Sequence, residues 1–152
     1  MNKEKSIAVL NTLIEINNDR IEGYTSASKE TKETELKSVF SKFANTSEKC
    51  REELVSEVKK LGGTPAKGTT TTGKFFRIWM DVKAALTLKD RESILNSCEY
   101  GEDNAVDTYK KELKDNVADI SPAQLSMLKA QLELIEADHD EVKQMRDVVE
   151  HK

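Results

Sequence analysis

The stretch SPAQLSMLKAQLELIEADHDEV, residues 121–142, reads as the start and body of one long helix. Ser121 can cap the N-terminus, Pro122 suits the first helical position and Gln124 stands where a capping box needs an amide or acid. Ile120 and Leu125 are spaced to staple the entry of the chain. From there Leu125, Leu128, Leu132, Ile135, His139, Val142, Met145 and Val149 recur at steps of three and four, which lines them along one side of a helix. His139 sits where a bundle helix would ordinarily carry Leu. Glu136 lies three residues earlier on nearly the same side, and a carboxylate and an imidazole on successive turns can face one ion.

The same period runs through the rest of the chain. Ile7, Leu10, Ile14, Asn17, Ile21 and Tyr24 stripe a helix over 7–28, apolar except at Asn17. Leu36, Phe40, Phe43, Cys50, Leu54, Val58 and Leu61 stripe a second over 33–61, which Gly62 and Gly63 end, because glycine readily takes the positive φ of a C-cap. GGTPAKGTTTTGK, residues 62–74, has no period and reads as a long loop, in which only TTTT could be extended. FFRIWMDVKAAL (75–86) predicts a short helix, expected to pack over one end of the bundle with Trp79 as a core or cap anchor. After a break near Leu88–Asp90, residues 90–117 predict another long helix. Four long helices and a scarcity of alternating patterns give an all-α fold: an antiparallel four-helix bundle whose long crossover contains an additional short helix.

A chain of 152 residues is enough for a single domain, 1–152, with its own core. Its 24 basic and 28 acidic residues leave a formal charge of -4, with no basic excess to neutralise phosphates, so nucleic acid is not an expected partner. No apolar run approaches bilayer length, which leads to the expectation of a cytoplasmic protein without a membrane partner. Cys50 and Cys98 both fall in apolar stripes and read as reduced core residues. Self-association of helix faces into a homodimer is the one partner arrangement expected.

The inward polar positions carry whatever chemistry there is. Cys98, Glu102, Ala105 and Tyr109 follow core spacing and turn Glu102 inward, where a carboxylate needs a proton, a cation or a metal. Glu48 and Arg51 repeat the spacing of Glu136 and His139, but a guanidinium stays protonated and cannot be a ligand. NNDRIEGY (17–24) echoes EDNAVDTY (102–109), pairing Asn17 with Glu102 as a duplicated hairpin would. Asp138, Asp140 and Glu141 offer a rival acidic cluster and read instead as a solvated face.

LGGTPAKG, FFRIWMDVKAAL, ILNSCEYGEDNAVDTYKKEL and LKAQLELIEADHDEVKQMRD together resemble the ferritin-like superfamily. Within it, the chain is most similar to a bacterial family of four-helix-bundle proteins, a DUF2383-type domain of unknown function. The ferritin-like resemblance implies a glutamate on the first and third long helices and E-x-x-H on the second and fourth. Here those places hold Asn17, Glu48 with Arg51, Glu102, and Glu136 with His139, so a symmetric di-iron centre is not expected. A reduced set, Glu48, Glu102, Glu136 and His139, would hold one divalent ion (iron, manganese or zinc) or none. The favoured reading is a non-catalytic, structural or stress-associated bundle with a degenerate metal site. There Arg51 would join Glu48, Glu102 or Glu136 in an ionic network. The alternative is a metal-dependent oxidoreductase or iron-handling protein. No nucleophile set, phosphate loop or dinucleotide motif appears.

Overall fold

The computed structural model describes residues 2–69 and 73–150, with the side chains of all of these except 73–76 and 150. Five α-helices account for most of them: α1 (Lys3–Glu30), α2 (Thr34–Lys60), α3 (Gly73–Leu88), α4 (Arg91–Asp115) and α5 (Pro122–Glu150), with a 3-10 turn at Val117–Asp119. No strand occurs among the described residues; Thr70–Thr72, most of the TTTT run, lie outside them.

The helix boundaries follow local chemistry. Asn2 caps α1 and Asp90 caps α4, each accepting from a backbone N–H three residues on. Lys60 closes α2 before Gly62, whose φ of 78° lets the chain reverse. Gly62 and Gly63 donate back to the carbonyls of Lys59 and Val58, the paired bonds of a glycine C-cap. The Ser121 N–H donates to Gln124 Oε1 at 2.9 Å and the Gln124 N–H to Ser121 Oγ at 3.1 Å, so the capping box forms as read.

α1 and α2 join through a three-residue link and run in opposite senses: Tyr24 meets Phe40 and Phe43, Arg20 meets Ser47, and Asn18 meets Arg51. α4 and α5 form a second hairpin, with Tyr109 against Gln131, Asp103 against His139 and Glu99 against Arg146. The crossover between hairpins is tied to α1. The Asn11 amide takes the Ala66 N–H and donates to the Thr64 carbonyl, and Asn18 donates to Gly68.

The short helix does not cap an end of the bundle; it lies along the flank formed by α1 and α4. Two glycines make that seat. A Cβ on Gly23 would fall 2.1–2.3 Å from Trp79 ring atoms, and one on Gly101 would fall 3.1 Å from Ile78 Cγ2. Trp79 packs edge-on against Tyr24 with centroids 4.9 Å apart, which bears out its role as an anchor. With α2 on one side and α3 on another, α1 is buried at every position from Ile16 to Arg20.

The apolar interior divides into two clusters. One includes Leu10, Leu13, Ile14, Leu54, Val58, Ala105, Tyr109, Leu128 and Ile135; the other includes Tyr24, Leu36, Phe40, Phe43, Ile94, Leu95, Cys98 and Val142. The boundary falls on α1 between Ile16 and Tyr24, on α2 between Ala44 and Leu54, on α4 between Cys98 and Ala105, and on α5 between Ile135 and Val142. What occupies that level is polar.

Gly23→Ala should destabilise the protein by about 1–3 kcal/mol through overpacking against Trp79, although alanine is the better helix former. In a Trp79→Ala background the same change should become neutral or stabilising; urea unfolding of the four variants reads the coupling.

Candidate functional site

The buried line of α5 is Gln124, Leu128, Gln131, Ile135, Asp138 and Val142. Leu128, Ile135 and Val142 face inward as the sequence pattern requires, but the residues between them are Gln131 and Asp138, not Leu132 and His139. Steps of three and four permit either choice. The core accepts the polar one because each of these side chains meets a polar partner from another helix.

At the first level, Ser6 donates its hydroxyl to Gln124 Oε1 at 3.0 Å, so the capping residue of α5 also docks on α1. At the second, Tyr109 donates to Gln131 Oε1 at 2.8 Å and accepts from Asn17 Nδ2 at 2.9 Å, while Gln131 Nε2 reaches the Cys50 carbonyl and Glu53. The third level is ionic and lies between the two apolar clusters.

Arg20 is its centre. Its guanidinium is fully enclosed, donating through Nε to Glu102 Oε2 at 2.9 Å and through Nη2 to Glu102 Oε1 at 2.6 Å. Nη2 also reaches Asp138 Oδ2 at 3.0 Å, and Nη1 donates to Ser47 Oγ at 2.5 Å. All four long helices therefore meet on one side chain. The Tyr24 ring lies 5.5 Å from the guanidinium carbon, within cation–π range.

Burial works against the Arg20 charge, yet the Glu102 carboxylate and the other acceptors more than offset it, raising its pKa further. Burial pushes the Asp138 carboxyl above its ordinary value, with Arg20 opposing the shift. Burial, then the Glu102 charge, holds the Tyr24 phenol protonated. Cys50 and Cys98 are free and buried, as expected; burial lifts the Cys50 thiol to about 11 and Cys98 higher still.

Of the residues read as ligands, Glu102 alone occupies this centre. Glu48 is exposed, Glu136 is half-buried, and His139 stands at the outer seam of α4 and α5. There its Nε2 contacts Asp103 Oδ1 at 2.6 Å and its Nδ1 contacts Asp140 Oδ1 at 3.2 Å. Among the described residues, the one group of three or more close metal-type donors is Glu99, Asp103 and His139, so the set Glu48, Glu102, Glu136 and His139 does not converge. Asn17 points at Tyr109 instead of at a ligand set. The expected cation Arg51 is half-buried and donates to Asn18 Oδ1 at 3.2 Å; the ionic network belongs to Arg20. Asp138, read as solvated, is 4% exposed.

A metal ion does not fit the centre, because the guanidinium already fills the space between Glu102 and Asp138 and brings a positive charge against any ion. The chemistry available there is ionic and hydrogen-bonding: the Ser47 hydroxyl accepts from Arg20, and burial with the nearby Glu102 charge raises the pKa of the Cys98 thiol.

A family model described as a domain of unknown function (DUF2383) matches residues 5–115, which takes in Arg20, Ser47 and Glu102 and stops short of α5. No curated protein matches the chain.

Asp138→Ala leaves Arg20 paired with Glu102 but removes a buried hydrogen bond to the guanidinium. It should cost about 1.5–3 kcal/mol, and His139→Ala, which removes a seam contact, about 1 kcal/mol or less. Chemical denaturation of the two variants checks the difference; the reverse order would mean that α5 is rotated from the placement described.

Proposed function

The chain belongs to the family described as a domain of unknown function (DUF2383), and we propose that it is a non-catalytic ferritin-like bundle, 1–152, in which the Arg20 guanidinium takes the central place a metal ion would hold. The observation that carries this reading is the fully buried Arg20, bound by Glu102 and Asp138 from the second hairpin and by Ser47 from the first. A cation of fixed charge that the protein itself supplies does the neutralising without metal exchange or redox chemistry.

Two further features support the ferritin-like arrangement. Cross-helix partners rise together along α1 and α5, from Ser6 with Gln124 to Arg20 with Asp138. They run oppositely along α1 and α4, from Asn17 with Tyr109 to Arg20 with Glu102. That is the up-down-down-up order of two hairpins joined by a long crossover. The contact of Asn17 with Tyr109 also has a counterpart in the electrostatic coupling of Glu102 with Tyr24, which is the reciprocity that the echo of 17–24 in 102–109 calls for.

The function that follows is structural: a register-locked bundle acting through its surfaces in a binding or stress-associated role. The iron-handling alternative would require Glu48, Glu136 and His139 to join Glu102 at one ion. They lie at other places on the bundle.

Two measurements test this. Arg20→Met should lose about 3–5 kcal/mol of unfolding free energy, and Glu102→Gln added to it should restore part of the loss by removing a stranded charge. Tag-free protein given Fe(II) in air should consume oxygen no faster than buffer. Iron-dependent consumption abolished by Glu102→Gln would overturn the reading.

A further inference from the structure

Outside the buried centre, one group of side chains combines donors of the kind that hold metals. Glu99 and Asp103 stand one turn apart on α4, and His139 faces them from α5; one donor atom of each lies within 4.8 Å of the others. We propose that this seam is a divalent-cation site of the zinc class, formed by a carboxylate oxygen from Glu99, one from Asp103 and Nε2 of His139.

Four features of the seam support it. First, the donor set is mixed: one imidazole and two carboxylates suit a borderline ion such as Zn²⁺ better than Mg²⁺ or Ca²⁺, which favour all-oxygen shells. Three protein donors would leave a fourth position for water.

Second, the outer nitrogen of the imidazole is already engaged. His139 Nδ1 lies 3.2 Å from Asp140 Oδ1, so once the proton that Nε2 now shares with Asp103 is lost, that carboxylate holds the proton on Nδ1 and the Nε2 lone pair is left facing the seam. Carboxylate partners of this kind orient metal-binding histidines.

Third, the charges favour a cation. Glu99, Asp103, Asp140 and Asp147 surround the seam, against Arg146 and His139. Arg146, which now pairs with Glu99, also contacts Asp147 at 3.2 Å and so has a second carboxylate to hold when Glu99 turns to an ion.

Fourth, the adjustment is small. Two donors at zinc bond lengths of about 2.1 Å stand roughly 3.4 Å apart in a tetrahedron. Asp103 and His139 are now 2.6 Å apart and must open, while no separation in the group exceeds 4.8 Å, so none need close by more than about 1.4 Å. The side chain of Asp103 is 51% exposed and that of His139 22%, so both have room, and the ion has a path from solvent. The proton shared between Nε2 and Asp103 leaves to water as the Nε2–Zn bond forms.

The test is zinc titration of the full chain, tag-free and reduced, by competition with a chelator of known affinity. A His151→Asn background removes the other histidine. One equivalent should bind. Asp103→Asn and His139→Asn should each weaken binding by more than about tenfold. Glu48→Gln and Glu136→Gln should leave it unchanged. In NMR spectra the ring signals of His139 should move with the first equivalent. Absence of a saturable equivalent, or wild-type affinity in Asp103→Asn, overturns the proposal. Because Asp103 is half-exposed, that variant keeps its fold, and a matching unfolding curve verifies it.

Discussion

The bundle depends on one buried cation. A guanidinium withdrawn from water is costly unless its donors are met, and Arg20 meets that condition with four hydrogen bonds to groups from three other helices. Glu102 gives the two-point geometry that a guanidinium matches and an ammonium does not, so Lys would not replace Arg20 here. The ionic layer divides the apolar interior into two clusters, and each long helix crosses it at one level only. Sliding any helix by a turn would bring Arg20, Glu102 or Asp138 against hydrocarbon. An apolar core would tolerate that slide more easily, which is why a polar layer can fix register even where it adds little net stability.

The two glutamine-centred layers work with the same geometry. Gln124, Gln131 and Asp138 stand seven residues apart on α5, separated by Leu128 and Ile135, and they meet Ser6, Tyr109 with Asn17, and Arg20 in turn. The first of these also closes the capping box of α5, so the start of that helix and its position against α1 are set by one amide. α3 adds a constraint from outside: Trp79 seats on Gly23 of α1 and Ile78 on Gly101 of α4, the residue before Glu102.

Much of the helical layout is legible in the sequence because it rests on local signals. The glycine stop after Leu61, the Ser-Pro-Ala-Gln start at 121–124 and the break at Leu88–Asp90 each act within a few residues. The inward position of Glu102 is legible too, since Cys98, Ala105 and Tyr109 bracket it. The partner of Glu102 is not found by the same reasoning. Arg20 lies three residues after Asn17 and four before Tyr24, on the stripe, yet weighting the stripe by apolarity passes over it in favour of Ile21. On α5 the same preference selects Leu132 and His139 over Gln131 and Asp138. Periodicity leaves two residues open at each of those steps, and hydrophobicity decides wrongly where the interior is itself polar. Which face α3 covers depends on two glycines far apart in the chain, and no local pattern reports that.

The functional picture follows from where the charges sit. Neutralisation at the centre is internal and permanent, whereas the seam at Glu99, Asp103 and His139 is open to solvent and carries an excess of carboxylates. The most direct measurement of the central claim is proton NMR of the Arg20 side chain at neutral pH. A guanidinium held on Nε by Glu102 inside a closed layer should give a sharp Nε–H signal protected from solvent exchange for minutes or longer, with a through-space correlation to the side-chain methylene protons of Glu102. An Arg20 Nε–H that exchanges as fast as those of exposed arginines would contradict the account.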